Sequence, residues 1–270
     1  RDLHLSLRRQ RQMCIRDRCS EILLAAGFKI FFLRGYRSTP ELSYAVRYTE
    51  STCGIMVTAS HNPPSDNAVK VYWSGGVQVL PPHDKGIIER VMQVNEISRF
   101  PFDGGVENGR VVFMEDEIDP AFVRAVLKQA TNSSRDLSVV YTPLHGVGAT
   151  AVLPVLQGAG FQNVRLYGPQ AEPNGDFPNV PGHVANPENP EVLTGAIEEA
   201  RSRSDDVVMA SDPDCDRLGA AAAFGPKKDS GWKTFTGNQL GALLAEWVRE
   251  TKRRQNVLQP TDTMVTTLVT

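Results

Sequence analysis

The chain has 270 residues, 41% of them hydrophobic and 22% charged, with a net charge of −2 at pH 7. That length suggests about two domains of roughly 100–150 residues, and the balanced charge gives no electrostatic reason to expect nucleic acid or an anionic membrane as partner. No apolar run reaches the roughly 18–20 residues that span a bilayer, and Cys14, Cys19, Cys53 and Cys215 form no CxxC pair, so neither a zinc site nor a disulfide framework is indicated and a reducing cytoplasm is expected.

In chain order, Arg1–Arg18 is basic and lacks the apolar core of a signal peptide. One reading is a basic arm for nucleic acid. Arg8–Asp17 (RRQRQMCIRD), however, matches one reading frame of a common transposase sequencing adapter along its whole length. Residues 1–18 are therefore expected to be a non-native leader, packed on neither unit and outside the functional argument.

From Cys19 the pattern is regular. Ser20–Ala26 reads as the end of a helix closed by Gly27, Phe28–Leu33 as an apolar strand, and Pro40–Tyr48 as a helix with Pro in its first turn. Gly54–Thr58 is a short buried strand, Ala59–Asn67 a polar loop, and Val69–Tyr72 a second strand before the Gly75-Gly76 turn. Asp84–Val94 reads as helix, Arg99–Asn108 as a Pro/Gly-rich connection and Pro120–Ala130 as helix. A second unit follows: strand Leu137–Tyr141, helix Ala149–Gly158, strand Val164–Leu166, loop Gly168–Pro190, helix Glu191–Arg203 and strand Val207–Ala210. The helix Gly237–Glu250 and the strand-like Met264–Val269 begin a third. The alternation predicts consecutive α/β domains with mixed sheets, over 19–136, 137–234 and 235–270. The last is too short to build its own core, so a truncated third domain is expected.

Two segments suggest chemistry. In Ser211-Asp212-Pro213-Asp214-Cys215-Asp216-Arg217, acids at i, i+2 and i+4 follow a buried strand. Alternate side chains of an extended or turning segment share a side, so the carboxylates can converge, and their repulsion calls for a cation. Oxygen ligands favour Mg²⁺ or Ca²⁺. An EF-hand counted from Asp212 would need Gly at Arg217 and Glu at Ala223, and fails. The bland alternative is a solvated acidic turn. In the second segment, Thr58-Ala59-Ser60-His61-Asn62-Pro63, Ser60 follows a strand beside a turn-forming Asn-Pro. It could be a nucleophile or phosphate carrier, but the glycines of a hydrolase elbow are missing, and alone it reads as an ordinary turn.

Together these motifs, with Asn67…Lys70-Val71-Tyr72, Thr142–Gly148 (TPLHGVG), Phe177-Pro178 and Asn186-Pro187-Glu188, resemble the α-D-phosphohexomutase family in the family's order. The KVYW and LHGVG variants look most like its phosphoglucomutase/phosphopentomutase branch. The resemblance implies that Ser60 is the phosphorylated serine. Asp212, Asp214 and Asp216 would bind Mg²⁺, with a phosphate oxygen on Ser60 as a further ligand. Lys70 and Arg217 would surround the transferring phosphoryl, and His61 would shape the serine loop. It also implies a phosphorylated sugar as substrate and a bisphosphate intermediate.

The chain departs from the family pattern at several points. Ala68 replaces a usual glycine, with strain if that position needs positive φ, and Pro213 and Cys215 replace glycines of the metal loop. The family's early Arg-Gly segment has no counterpart, and its sugar- and phosphate-recognition loops lie beyond Thr270. The fragment itself is therefore expected to be inactive. A haloacid-dehalogenase-type phosphatase, with Asp212-x-Asp214 after a strand and Asp212 as nucleophile, is the competing enzyme reading. A non-catalytic sugar-phosphate-binding homologue is the other. His145 is at least as well explained by a structural hydrogen bond as by catalysis, His183 is given no role, and Trp73, Trp232 and Trp247 read as core or domain-contact residues.

Overall fold

A computed structural model describes residues 7–131, 134–225 and 231–265. In the first unit, helix α1 (Leu7–Ala25) leads to strand β1 (Ile30–Phe32) and helix α2 (Thr39–Tyr48). Strands β2 (Cys53–Val57) and β3 (Val69–Trp73) pair antiparallel around the serine loop. Helix α3 (His83–Met92), helix α4 (Phe102–Glu107), strand β4 (Val111–Phe113) and helix α5 (Glu115–Leu127) complete it.

The expected mixed sheet is here divided into two pairs, β1 parallel to β4 and β2 antiparallel to β3. A cavity of about 550 Å³ is lined in part by Phe28–Leu33 and Cys53–Thr58, and it reaches Ser60 and Asp214. Leu24, Phe32 and Val111 form the small core of this unit. Residues 7–18 depart from the expectation that they pack on nothing. They continue the helix that carries Leu24, Arg16 lies 5.0 Å over the Phe32 ring, and Arg11 donates to the Pro64 carbonyl at 2.9 Å. None of residues 10–18 is buried.

The second unit contains one five-stranded mixed sheet in the order β6-β5-β7-β8-β9, made of β5 (Val139–Thr142), β6 (Val164–Leu166), β7 (Val207–Ser211), β8 (Leu218–Ala223) and β9 (Trp232–Phe235). Helix α6 (Ala149–Gly158) joins β5 to β6, and α7 (Thr194–Arg203) precedes β7. Val140, Leu144, Val192, Leu193, Val208 and Ala221 are buried in its core, with Trp232 packed against it. The chain passes from β5 to β6 on one side and returns to β7 on the other, so β5 and β7 flank a topological switch point. Ligands of open α/β sheets bind outside the carboxyl ends of such strands. Helix α8 (Gly237–Arg254) follows, capped by a reciprocal Thr236–Gln239 box. No helix among the described residues is long and apolar enough to cross a membrane. The strand expected at Met264–Val269 lies mostly outside the described residues; Met264 and Val265 are in no strand.

One buried acid near the site gives a pH test. Glu41, in the first turn of α2, is 2% exposed, and its Oε2 has no hydrogen-bond partner. Burial, with the Asp119 carboxylate adding to it, raises its carboxyl from 4.5 to about 7, against the pull of Arg37. A carboxyl whose pKa is raised by folding stabilises the fold fully below its unfolded pKa, and the contribution is lost as pH rises through the folded one. Thermal melts are therefore expected to show stability falling between pH 4.5 and about 7 by an amount on the order of 1–3 kcal/mol. Glu41→Gln should remove the Glu41 share of that slope, and the part that remains belongs to Asp212, whose carboxyl burial also raises to about 7.

Candidate active site

The Thr58–Pro63 and Asp212–Arg217 loops meet. Ser60 sits just past β2 in the left-handed region, at φ 50°, and its N–H donates to Thr58 Oγ1 at 2.9 Å. The Thr58 N–H donates to the Ala68 carbonyl at 3.0 Å and closes the loop. Ala68 is not among the left-handed residues, so the strain tied to that position does not arise. This geometry aims Ser60 Oγ across to the second unit, where it donates to Asp212 Oδ2 at 2.6 Å from 152 positions away. His61 Nδ1 lies 3.3 Å from the same hydroxyl.

Asp212, Asp214 and Asp216 present carboxylate oxygens that all lie within 4.8 Å of one another. Asp212 is fully buried, and its Oδ1 accepts from the backbone N–H of Asp216 and of Arg217, each at 3.0 Å. The loop makes that turn at Cys215, at φ 61°, a conformation that costs a non-glycine residue about 1–2 kcal/mol. Burial pushes the Cys215 thiol up to about 11, so it is neutral and the ligand set consists of oxygens. Lys70 Nζ bridges Asp214 Oδ2 at 2.8 Å and Asp216 Oδ2 at 2.9 Å. Arg217 Nε is 4.0 Å from Asp216 Oδ1. All seven residues picked out in the sequence thus share one site.

Charge in this site is finely balanced. Burial, reinforced by Asp214, raises the Asp212 carboxyl to about 7. At Asp214 burial pushes upward too, but hydrogen bonds with Asp212 and Lys70 outweigh it and its pKa falls below the usual value. At Lys70 burial works against the charge, and the two carboxylates outweigh it, so its pKa is raised. His61 is lowered, chiefly by burial and then by Arg217. Asp214 Oδ1 is buried with no hydrogen-bond partner. Octahedral Mg²⁺ at about 2.1 Å from each oxygen asks for ligands roughly 3–4 Å apart, so a small closure of the triad around this orphaned oxygen fits a hard divalent cation.

Several contributors were not legible as site residues. Thr39, just outside the helix expected at Pro40–Tyr48 and given no role in the sequence, donates from Oγ1 to Asp214 Oδ2 and from its N–H to the Asp214 carbonyl, both at 2.9 Å. The TPLHGVG loop backs the metal loop. Val147 N–H donates to the Pro213 carbonyl at 2.9 Å, and Gly146 is so close to Pro213 that a Cβ would lie 2.2 Å from its Cα. Behind it, Tyr141 and Ser211 hydroxyls are 2.6 Å apart. His145 has a structural role: Nδ1 is 2.9 Å from the Glu172 carbonyl, and Nε2 accepts from the Asn179 N–H at 3.4 Å.

Comparison with known proteins follows the same outline. The family described as phosphoglucomutase/phosphomannomutase, alpha/beta/alpha domain I, matches residues 8–98, and its alpha/beta/alpha domain II matches residues 120–225. The first match begins inside the expected leader. The phosphoglucomutase of Staphylococcus saprophyticus is 34% identical over 230 residues, which are 83% of this chain and 41% of that protein. The human phosphopentomutase is 32% identical over 246 residues, 86% of this chain and 38% of that protein. A phosphoglucomutase/phosphomannomutase family protein from Burkholderia thailandensis shares the fold, with TM-score 0.59 and 21% identity over 86% of this chain and 46% of that one. The chain spans less than half the length of these relatives. With both domain models matched in order and the serine and metal loops joined in one site, the chain belongs to the phosphoglucomutase/phosphomannomutase, or α-D-phosphohexomutase, family.

Proposed function

We propose that this chain forms the phosphoserine and metal half of a phosphosugar mutase, which interconverts sugar 1- and 6-phosphates, or pentose 1- and 5-phosphates, through a bisphosphate. The observation that supports this most is Ser60 Oγ lying 2.6 Å from buried Asp212. A phosphoryl on that oxygen lies beside the acidic triad, Lys70 and Arg217. When a sugar hydroxyl attacks the phosphorus in line, the new O–P bond forms as the Oγ–P bond breaks, and the hydroxyl proton ends on Ser60 Oγ. His61 Nδ1, 3.3 Å from that oxygen, is placed to relay it. Lys70 and Arg217 are the side chains that meet charge on the equatorial oxygens. Asp212, Asp214 and Asp216 would hold Mg²⁺, which neutralises phosphoryl charge when bound. The free state of the four cysteines fits a reducing cytoplasm.

The phosphatase reading has less support. It needs Asp212 exposed as nucleophile, yet this residue is fully buried and both its oxygens accept hydrogen bonds. A non-catalytic homologue has no use for the assembled Ser60, Lys70 and triad. The test is the position of the covalent phosphate. Protein loaded with a sugar bisphosphate is expected to carry an acid-stable phosphate that maps to Ser60 by mass spectrometry. A hydroxylamine-labile phosphate on Asp212 would replace this reading with the phosphatase.

A further inference from the structure

We propose that Thr39 is a positioning residue that keeps the metal loop docked on the serine-bearing unit throughout the phosphorylation cycle, an inference that rests on the phosphoserine reading above. Three ties join the two loops across the units. The first is Ser60 Oγ to Asp212, and it needs the serine hydroxyl hydrogen. Esterification of that oxygen removes the hydrogen, so this tie cannot persist in the phosphoenzyme. The second is Lys70 on Asp214 and Asp216. It is made by a flexible four-carbon stem whose ammonium the phosphoryl group also attracts. Neither holds a constant geometry while the phosphoryl group comes and goes.

Thr39 differs on each count. It opens α2, is 4% exposed, and touches Asp214 twice. Its backbone N–H is one of the first-turn donors that a helix leaves without an internal partner, and it donates to the Asp214 carbonyl at 2.9 Å. Its hydroxyl donates to Asp214 Oδ2 at 2.9 Å. Main chain and side chain of one acid are thus held from the opposite unit, by atoms that take no part in transfer. Occupying Oδ2 also orients the carboxylate, leaving the buried, partnerless Oδ1 for a cation. A β-branched residue suits this task, because few rotamers are open to it.

Calorimetric titration of this chain with MgCl₂ tests the assignment. Thr39→Val keeps the shape and removes the hydroxyl. It is expected to weaken Mg²⁺ binding by about tenfold or more, the scale of one hydrogen bond to a charged group, and to lower the melting temperature by only about the few degrees that one buried hydrogen bond is worth. Thr39→Ser should restore affinity to within about twofold. In a Ser60→Ala background, where the serine tie is already gone, Thr39→Val should still cost about tenfold or more. Wild-type affinity in Thr39→Val, equal weakness in Thr39→Ser, or no added loss in the double variant would each overturn the proposal. Thr39→Ala serves in its place if the valine variant does not fold. Asp214→Asn separates the two levels. If it loses Mg²⁺ while Thr39→Val does not, only the role of Thr39 fails. If it binds Mg²⁺ normally, the metal-site reading fails and the role of Thr39 with it.

Discussion

Ser60→Ala is expected to reduce sugar-phosphate isomerisation by at least about 10⁴-fold, because it removes the hydroxyl that the proposed reaction loads with the phosphoryl group. The measurement is ³¹P NMR of 1-phosphate and 6-phosphate interconversion, in an enzyme that also carries the segments the relatives have beyond this chain. The loss should be chemical rather than structural. Ser60 already occupies the left-handed region, and alanine pays a similar backbone cost there. The lost contacts include the hydrogen bond from a half-buried hydroxyl to Asp212 and the 3.3 Å contact with His61 Nδ1, a stability change on the order of 1–2 kcal/mol. Mg²⁺ affinity should stay within a few-fold, since the three aspartates are untouched. Near-normal turnover in this variant would require another phosphoryl carrier and end the mutase reading.

The second large effect is expected at a residue with no reactive group. In Gly146→Ala the new Cβ would lie 2.2 Å from Pro213 Cα, 2.5 Å from its carbonyl oxygen and 2.7 Å from its carbonyl carbon. All three are backbone atoms, so no side chain can swing aside and the metal loop itself must move. Pro213 lies between Asp212 and Asp214, and its displacement carries both carboxylates with it. Overpacking of this kind costs about 1–3 kcal/mol, and Mg²⁺ affinity should fall by about tenfold to a hundredfold, the equivalent of the same energies. Urea denaturation and calorimetry measure the two. Gly168→Ala is the matched control, since a Cβ there meets no atom within 4 Å. If Gly146→Ala matched that control in both measurements, the buttressing role of the TPLHGVG loop would be wrong.

Much of the fold follows from local pattern. The limits of α6 and β6 coincide with the helix and strand expected at Ala149–Gly158 and Val164–Leu166. The other helices and strands read from apolar periodicity differ mainly at their ends, where capping and fraying decide. Helix α5 starts at Glu115, five residues before the expected Pro120, because Glu115, Asp116 and Glu117 favour its first turn and Pro120 is tolerated within it. Helix α4 was expected as a connection because of Gly104 and Gly105, and packing of Phe102 and Val106 on the first core overrides that propensity. Strand β4 is three residues long, too short to show a period. Strand β8 is alanine-rich and has little strand propensity of its own; its antiparallel ladders to β7 and β9 make it a strand.

The candidate site divides in the same way. By itself, the sequence determined the chemistry available: an acid at every second position after an apolar strand, a serine on a turn-forming loop, and a lysine shortly downstream. Each of these is a local pattern, and local backbone preference is enough to produce it. Only the tertiary structure decided which groups meet. Ser60 reaches Asp212 across 152 positions, Lys70 reaches Asp214 across 144, and Thr39, which no local pattern singled out, reaches Asp214 across 175. Such pairings depend on how two separately built units dock, which is set by the shape of their surfaces and by the burial of partnered polar groups. Neither has a period along the chain, and so neither could be read from it.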